Sequence, residues 1–155
     1  DMLVRASSGR GRRWANVPWV ALLAPQETKT AKDGIYVAWL FHGDGEGVTL
    51  ALVWGTQHFR AAHRGAKGAT TVRQELAKRR AGACTHIEHK ALEDAGFRVD
   101  VEAPLFASTP LAKDYEHSCL VHRTWSIEEP MPPDEISRSQ ELLLETYKKM
   151  LQARH

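Results

Sequence analysis

The chain has 155 residues, of which 43% are hydrophobic and 26% charged, values that fit one globular domain with a core of its own. They exclude a wholly disordered chain, a collagen-like chain and a coiled coil, and the apolar run at residues 17–24 is far too short to span a bilayer. The net charge of +2 conceals an asymmetry: residues 1–14 carry four arginines against one aspartate, residues 58–80 seven bases against one acid, and residues 100–145 three bases against ten acids. A basic front and an acidic back point to a polyanion partner, or to a solvated basic surface.

Residues 7–13, Ser-Ser-Gly-Arg-Gly-Arg-Arg, read as a flexible basic loop. Residues 17–23 read as a buried strand with Pro18 at or before its start, because proline cannot donate to a ladder. Residues 25–34 form a polar connection. Residues 35–41 and 48–54 are two strands joined by the glycine-dense turn 42–47, a β-hairpin. Residues 55–68 are irregular and basic. Thr71 with Gln74 makes a capping box for a helix over 71–81 that Gly82 can end. A short helix covers 87–95, closed by Gly96, and 97–102 alternates as a half-buried strand. Residues 108–114 form a loop, 115–126 contain a further strand, and 129–133 are a proline-rich break. From Asp134 to about Leu151 a helix carries Ile136, Leu143, Tyr147 and Met150 as its apolar stripe. The expected fold is therefore α+β: a mainly antiparallel curved sheet with flanking helices and a C-terminal helix.

Two cysteines, Cys84 and Cys119, cannot build a disulfide framework, and residues 1–14 contain no apolar signal segment. The expectation is a cytoplasmic protein with free thiols and no membrane anchor. The opening at Asp1 reads as a single domain, residues 1–155, excised from a larger protein.

Catalytic motifs are sparse. Gly65-Ala66-Lys67-Gly68 lacks the Lys-Ser/Thr pair of a phosphate-binding loop. His86-Ile87-Glu88 matches the first half of a zinc-deaminase signature, but only Cys119 follows where a Pro-Cys-x-x-Cys is needed. Glu88-His89-Lys90 resembles half of a metal-dependent nuclease core, set in a predicted helix rather than on a strand. A Gly-x-Ser-x-Gly elbow is absent. No metal, cofactor or catalytic residue is expected. The alternative reading is a small metal-dependent nuclease or hydrolase using His86, Glu88 and His89.

The informative stretch is residues 8–56. It holds Gly9-x-Gly11, Trp14, Val17-Pro18-Trp19-Val20-Ala21, then Gly34-Ile35-Tyr36-Val37-Ala38-Trp39-Leu40-Phe41 and Val48-Thr49-Leu50-Ala51-Leu52-Val53-Trp54-Gly55. This succession resembles the N-terminal DNA-recognition domain of the McrB family, the specificity subunit of methylcytosine-dependent restriction systems. Leu111-Ala112-Lys113-x-Tyr115-Glu116 and the C-terminal helix suit the same family. Three features depart from its pattern. Arg12-Arg13 replaces the family's asparagine, Arg10 stands where the best-known member has an aromatic residue, and Val53-Trp54 replaces a frequent Asn-Gln.

The resemblance implies a module that binds duplex DNA and flips a modified cytosine into a pocket, without catalysis, beside a fused or associated GTPase motor or nuclease. Trp19, Tyr36 and Leu40 match its pocket positions, Tyr115 is the candidate for a further aromatic, and the loop of Gly9, Arg10, Gly11, Arg12 and Arg13 should face the DNA. Charge adds Arg60, Arg64 and Lys67 as DNA-binding candidates. The chemistry agrees, since a flipped base needs a flat aromatic slot, a closely approaching glycine loop and cations for phosphates. Each residue also has a plainer reading. Trp14 and Trp39 suit a core, Trp39 facing opposite to Leu40. The Tyr36–Leu40 face could itself be core, and the basic helix 71–81 could be merely solvated.

Overall fold

The computed structural model describes residues 1–10, 13–57, 61 and 66–154, and the side chains of these except 10, 13–16, 66–70 and 154. Six strands form one sheet: β1 (Leu3–Arg10), β2 (Arg13–Leu23), β3 (Ile35–Phe41), β4 (Gly47–Trp54), β5 (Arg98–Val99) and β6 (Cys119–Ser126). Their order is β1-β2-β3-β4-β6-β5, and every neighbouring pair is antiparallel. The described helices are α1 (Ala66–Cys84), α2 (His89–Asp94), α3 (Pro110–Ser118) and α4 (Pro133–Arg154). The class is α+β with a C-terminal helix, as the sequence predicts. None of the described helices is long and apolar enough to cross a membrane.

Strand alternation divides the core between two faces. Val37, Leu50, Leu52 and Val121 point to one face and pack against Leu143, Tyr147, Met150 and Leu151 of α4. There the Tyr147 hydroxyl accepts from Ala24 N and donates to Ile35 O, tying α4 to the ends of two strands. The other face carries Ala21, Tyr36, Ala38, Leu40, Ala51 and Val53. It is covered by Ala103 and Leu105 and by Ala112 and Tyr115 of α3.

Several local expectations need correction. Residues 7–10 are not loop but the end of β1, an edge strand whose polar sequence hides it from a hydrophobic pattern. Pro18 lies inside β2, not at its start. It is tolerated because the β1 pairing shifts between Ser7 and Gly9, and the β3 pairing begins only at Trp19. α1 starts before Thr71, so Thr71 is interior rather than a cap, and it runs past Gly82. Residues 110–114, expected as loop, open α3: the Thr109 side chain accepts from Ala112 N and Pro110 takes the first turn. Strand β5 is shorter than predicted because Asp100 turns the chain at φ 56°. Gly96 does close α2, at φ 92°, with Phe97 N donating to Leu92 O and Gly96 N to Glu93 O.

Candidate nucleic-acid interface

On the α3-covered face the sheet and helix part, leaving a cavity of about 630 Å³ beside β1 and β2. Its walls come from three places. Val17 and half-buried Trp19 stand on β2; Leu111, Ala112 and Tyr115 face them from α3; the loop Lys29–Thr30–Ala31–Lys32 closes a third side, next to Gln57. Arg5, Ser7 and Gly9 of β1 form the lip, alternate residues on the strand face that Trp19 and Ala21 share. Gly9 has φ 132°, a conformation open to glycine, at the point where the β1–β2 register shifts.

The structure brings Trp19 and Tyr115 together on this cavity. Tyr36 and Leu40 lie on the same face, each 1% exposed, beneath the cavity and not lining it. Leu40 is the cross-strand partner of Trp19 and supports it from below. The Tyr36 hydroxyl donates to Ala31 O at 2.9 Å, so it holds the loop wall in place. Burial pushes the Tyr36 phenol well above its ordinary range, with Tyr115 adding to the effect, and burial likewise raises Tyr115. Both phenols therefore stay neutral. Below them burial pushes the Cys119 thiol up to about 12, and its Sγ contacts Tyr115 O at 3.1 Å.

Trp39 points to the opposite face, as alternation predicts, and donates its indole N–H to Gln140 of α4 at 2.8 Å. Its ring lies 5.9 Å from that of Trp125.

The expected DNA-facing residues Gly11, Arg12, Arg60 and Arg64 lie outside the described residues, as do the side chains of Arg10, Arg13, Trp14 and Lys67. The rest of the basic segment is engaged within the fold. Arg73 pairs with Glu102 at 3.4 Å, Lys78 with Glu75 at 4.0 Å and Arg80 with Asp100 at 2.8 Å. Arg80 also donates to His117 O, and Arg79 sits 4.8 Å over the Trp54 ring. Arg73, Arg79 and Arg80 thus tie α1 to the 100–117 segment and to β4, whereas the Lys78–Glu75 pair lies within α1.

Sequence reasoning missed Arg5, Lys29, Lys32, Gln57 and Leu111 as cavity residues. Two lysines three residues apart in a polar connection give no periodic signal. Their placement depends on Gly55, where an added Cβ would lie 2.4 Å from Asp33 N.

The nuclease-like residues do not form a cluster. His86 and Glu88 are exposed, the His89 ring is 2.8 Å from Cys84 O, and the buried Cys84 thiol, pushed up to about 12 by burial, donates to Leu120 O. Among the described residues no group of three or more His, Cys, Asp or Glu could hold a metal ion. Both cysteines are free and buried.

The fold and site thus define an α+β module built around an aromatic-walled, cation-lipped cavity on an open antiparallel sheet. A family model described as MrcB-like, N-terminal domain matches residues 1–152, and the chain belongs to that family. Membership suggests DNA binding in restriction, and a DNA-binding module is consistent with a non-enzymatic role. Comparison with the curated proteins finds no match.

Proposed function

We propose that this chain recognises a modified cytosine, 5-methylcytosine or a close relative, in duplex DNA within a limited sequence context by drawing the base out of the stack into the cavity. It is the specificity module of a modification-dependent restriction system. The motor or nuclease work falls to other domains or subunits. The observation that carries this reading is the cavity walled by Trp19 and Tyr115, in a member of this family. At about 630 Å³ it falls within the size range of small-molecule sites, about 300–1,000 Å³. A base entering it would stack on an aromatic wall, worth about 1–3 kcal/mol. The lip at Gly9 lets backbone approach the duplex, and the arginines around it meet phosphates.

Burying one methyl group contributes only about 0.8 kcal/mol, roughly fourfold in affinity. Stronger discrimination needs a pocket that the unmodified base fits badly. The test is a binding panel of otherwise identical duplexes differing only in the cytosine modification, with a fluorescent base analogue at the target position. We expect a preference on the order of ten- to a hundredfold for one modification and a change in the analogue's emission as it leaves the stack. Trp19→Ala should lower affinity for that duplex by about five- to 150-fold and leave unmodified DNA nearly unaffected, because phosphate contacts carry non-specific binding. Equal binding across the panel would make the chain a general DNA binder. Tight selective binding with unchanged emission would place recognition within the groove.

A further inference from the structure

Arg5, Lys29 and Lys32 converge on the mouth of the cavity from β1 and from the loop that follows β2. All three are exposed, and none is ion-paired with another described residue. That separates them from Arg73, Lys78 and Arg80, each of which has its own acid. Three like charges around one opening repel each other, and an anion seated there relieves that repulsion.

The loop that presents the two lysines is held by its backbone. Ala31 O accepts from the Tyr36 hydroxyl at 2.9 Å, Lys32 O from Gln57 N at 3.3 Å and Thr30 O from the Thr28 hydroxyl at 2.9 Å. Gly34 O accepts from Gly55 N at 2.8 Å, and Gly34 itself sits at φ 71°. The lysine stems thus leave from fixed points, which lowers the ordering cost of binding.

A nucleotide whose base enters an apolar slot keeps its sugar and phosphates at the slot's mouth. We infer that Arg5, Lys29 and Lys32 form a phosphate clamp for the nucleotide whose base occupies the cavity, gripping the phosphodiesters that flank it. This inference rests on the base-extrusion reading above. It adds the point that these cations act on the extruded nucleotide, not on the duplex at large. Their contribution therefore appears with the modified duplex and fades with the unmodified one.

The experiment measures affinity against salt for both duplexes, with the whole chain and with the triple variant Arg5→Ala, Lys29→Ala, Lys32→Ala. Each lost phosphate contact lowers the slope of log affinity against log salt by about 0.9. With all three lost, the wild type should shed about fortyfold more affinity for the modified duplex than the variant does between roughly 50 and 200 mM salt. Lys78→Ala should leave the slope unchanged. The double variant Lys29→Arg, Lys32→Arg should also retain it, because charge is kept. A second arm replaces the phosphates flanking the modified cytosine with neutral methylphosphonates. This should weaken the wild type and add no further loss to the triple variant.

Selective wild-type binding combined with an unchanged slope in the triple variant would overturn the clamp alone. So would a methylphosphonate penalty that persists in that variant. An equal slope loss on both duplexes would make the three cations general backbone contacts and overturn their assignment to the extruded nucleotide. A wild type without preference for any modified duplex would overturn the base-extrusion reading and the clamp with it.

Discussion

Trp19 and Trp39 stand on neighbouring strands and face opposite sides of the sheet. Trp39 meets Trp125, and its indole N–H is taken by Gln140 of α4, so its polar atom is spent inside the fold. Trp19 lies over Leu40 and opens onto a cavity. The difference is set by what covers each face. On the Trp39 side a 22-residue helix lies along the sheet and fills it with Leu143, Tyr147 and Met150. On the Trp19 side cover comes from the nine-residue α3 and the turns around it, and the β1–β2 end is left open. A tryptophan count cannot sort the two roles; strand parity and the length of the covering helix can.

The largest effect expected from breaking this contrast is on the closed side. Trp39→Ala removes a half-buried indole packed against the α4 side of the core and leaves Gln140 without its partner, which should cost about 3 kcal/mol of stability, the low end for truncating a tryptophan. Thermal melting should show a marked drop, while the folded fraction keeps its preference for a modified duplex. A selective loss of that preference with unchanged melting would make Trp39 a ligand contact and dissolve the comparison.

The next effect is a pH dependence lodged on the cavity side. His122 pairs across the sheet with Ala51, on the face of Ala38 and Tyr36, and is 2% exposed with Nδ1 lacking a partner. Burial, with Arg98 and Arg80 adding to it and a hydrogen bond from the ring to the Val101 backbone opposing, lowers its pKa to about 4. Unfolded histidine titrates near 6.5, so below that pH the unfolded chain takes up a proton that the folded chain refuses. The stability this represents is fully present above about pH 6.5 and is lost as pH falls through about 4, roughly 3 kcal/mol in all. His42, also lowered by burial, adds in the same direction. Melting curves from pH 7 to 4 should fall less steeply for His122→Asn than for the wild type. Identical slopes would assign the acid sensitivity elsewhere.

The smallest effect sharpens the role of Tyr36. If its hydroxyl positions the loop wall through Ala31 O, Tyr36→Phe keeps the ring and loses only that bond. We expect about 1 kcal/mol less stability and about two- to tenfold weaker binding of the modified duplex. Full retention of selective binding by this variant would leave the loop held without Tyr36.

Legibility in the sequence followed the range of the interactions. The β3–β4 hairpin was readable because two runs of β-branched and aromatic residues and the glycine-dense turn 42–47 between them lie within a few residues of one another. The C-terminal helix was readable from its own stripe. Strand β1 was not, because its content is polar and its strand character comes from pairing with β2. The start of α3 was written in Thr109-Pro110, a cap followed by a first-turn proline, yet Ser-Thr-Pro equally spells a loop. At the candidate site, Trp19 and Tyr115 stood out as aromatics, whereas Lys29 and Lys32 had no pattern of their own.

The sequence by itself determined the family, through the residues between Gly9 and Gly55, and the α+β class, through periodicities of two and 3.6 residues. It also determined which side of a strand each aromatic takes, since alternation is a property of the local backbone. Only the tertiary structure decided what stands on those sides. It put Tyr115 opposite Trp19 across 96 residues of chain, gave Arg80 to Asp100 and Arg73 to Glu102, and left Arg5, Lys29 and Lys32 together at a cavity mouth. The physical reason is that a side chain's direction is fixed by its own φ and ψ and its neighbours' pairing, whereas its partner is fixed by how distant segments pack, and packing leaves no mark at fixed spacing along the chain.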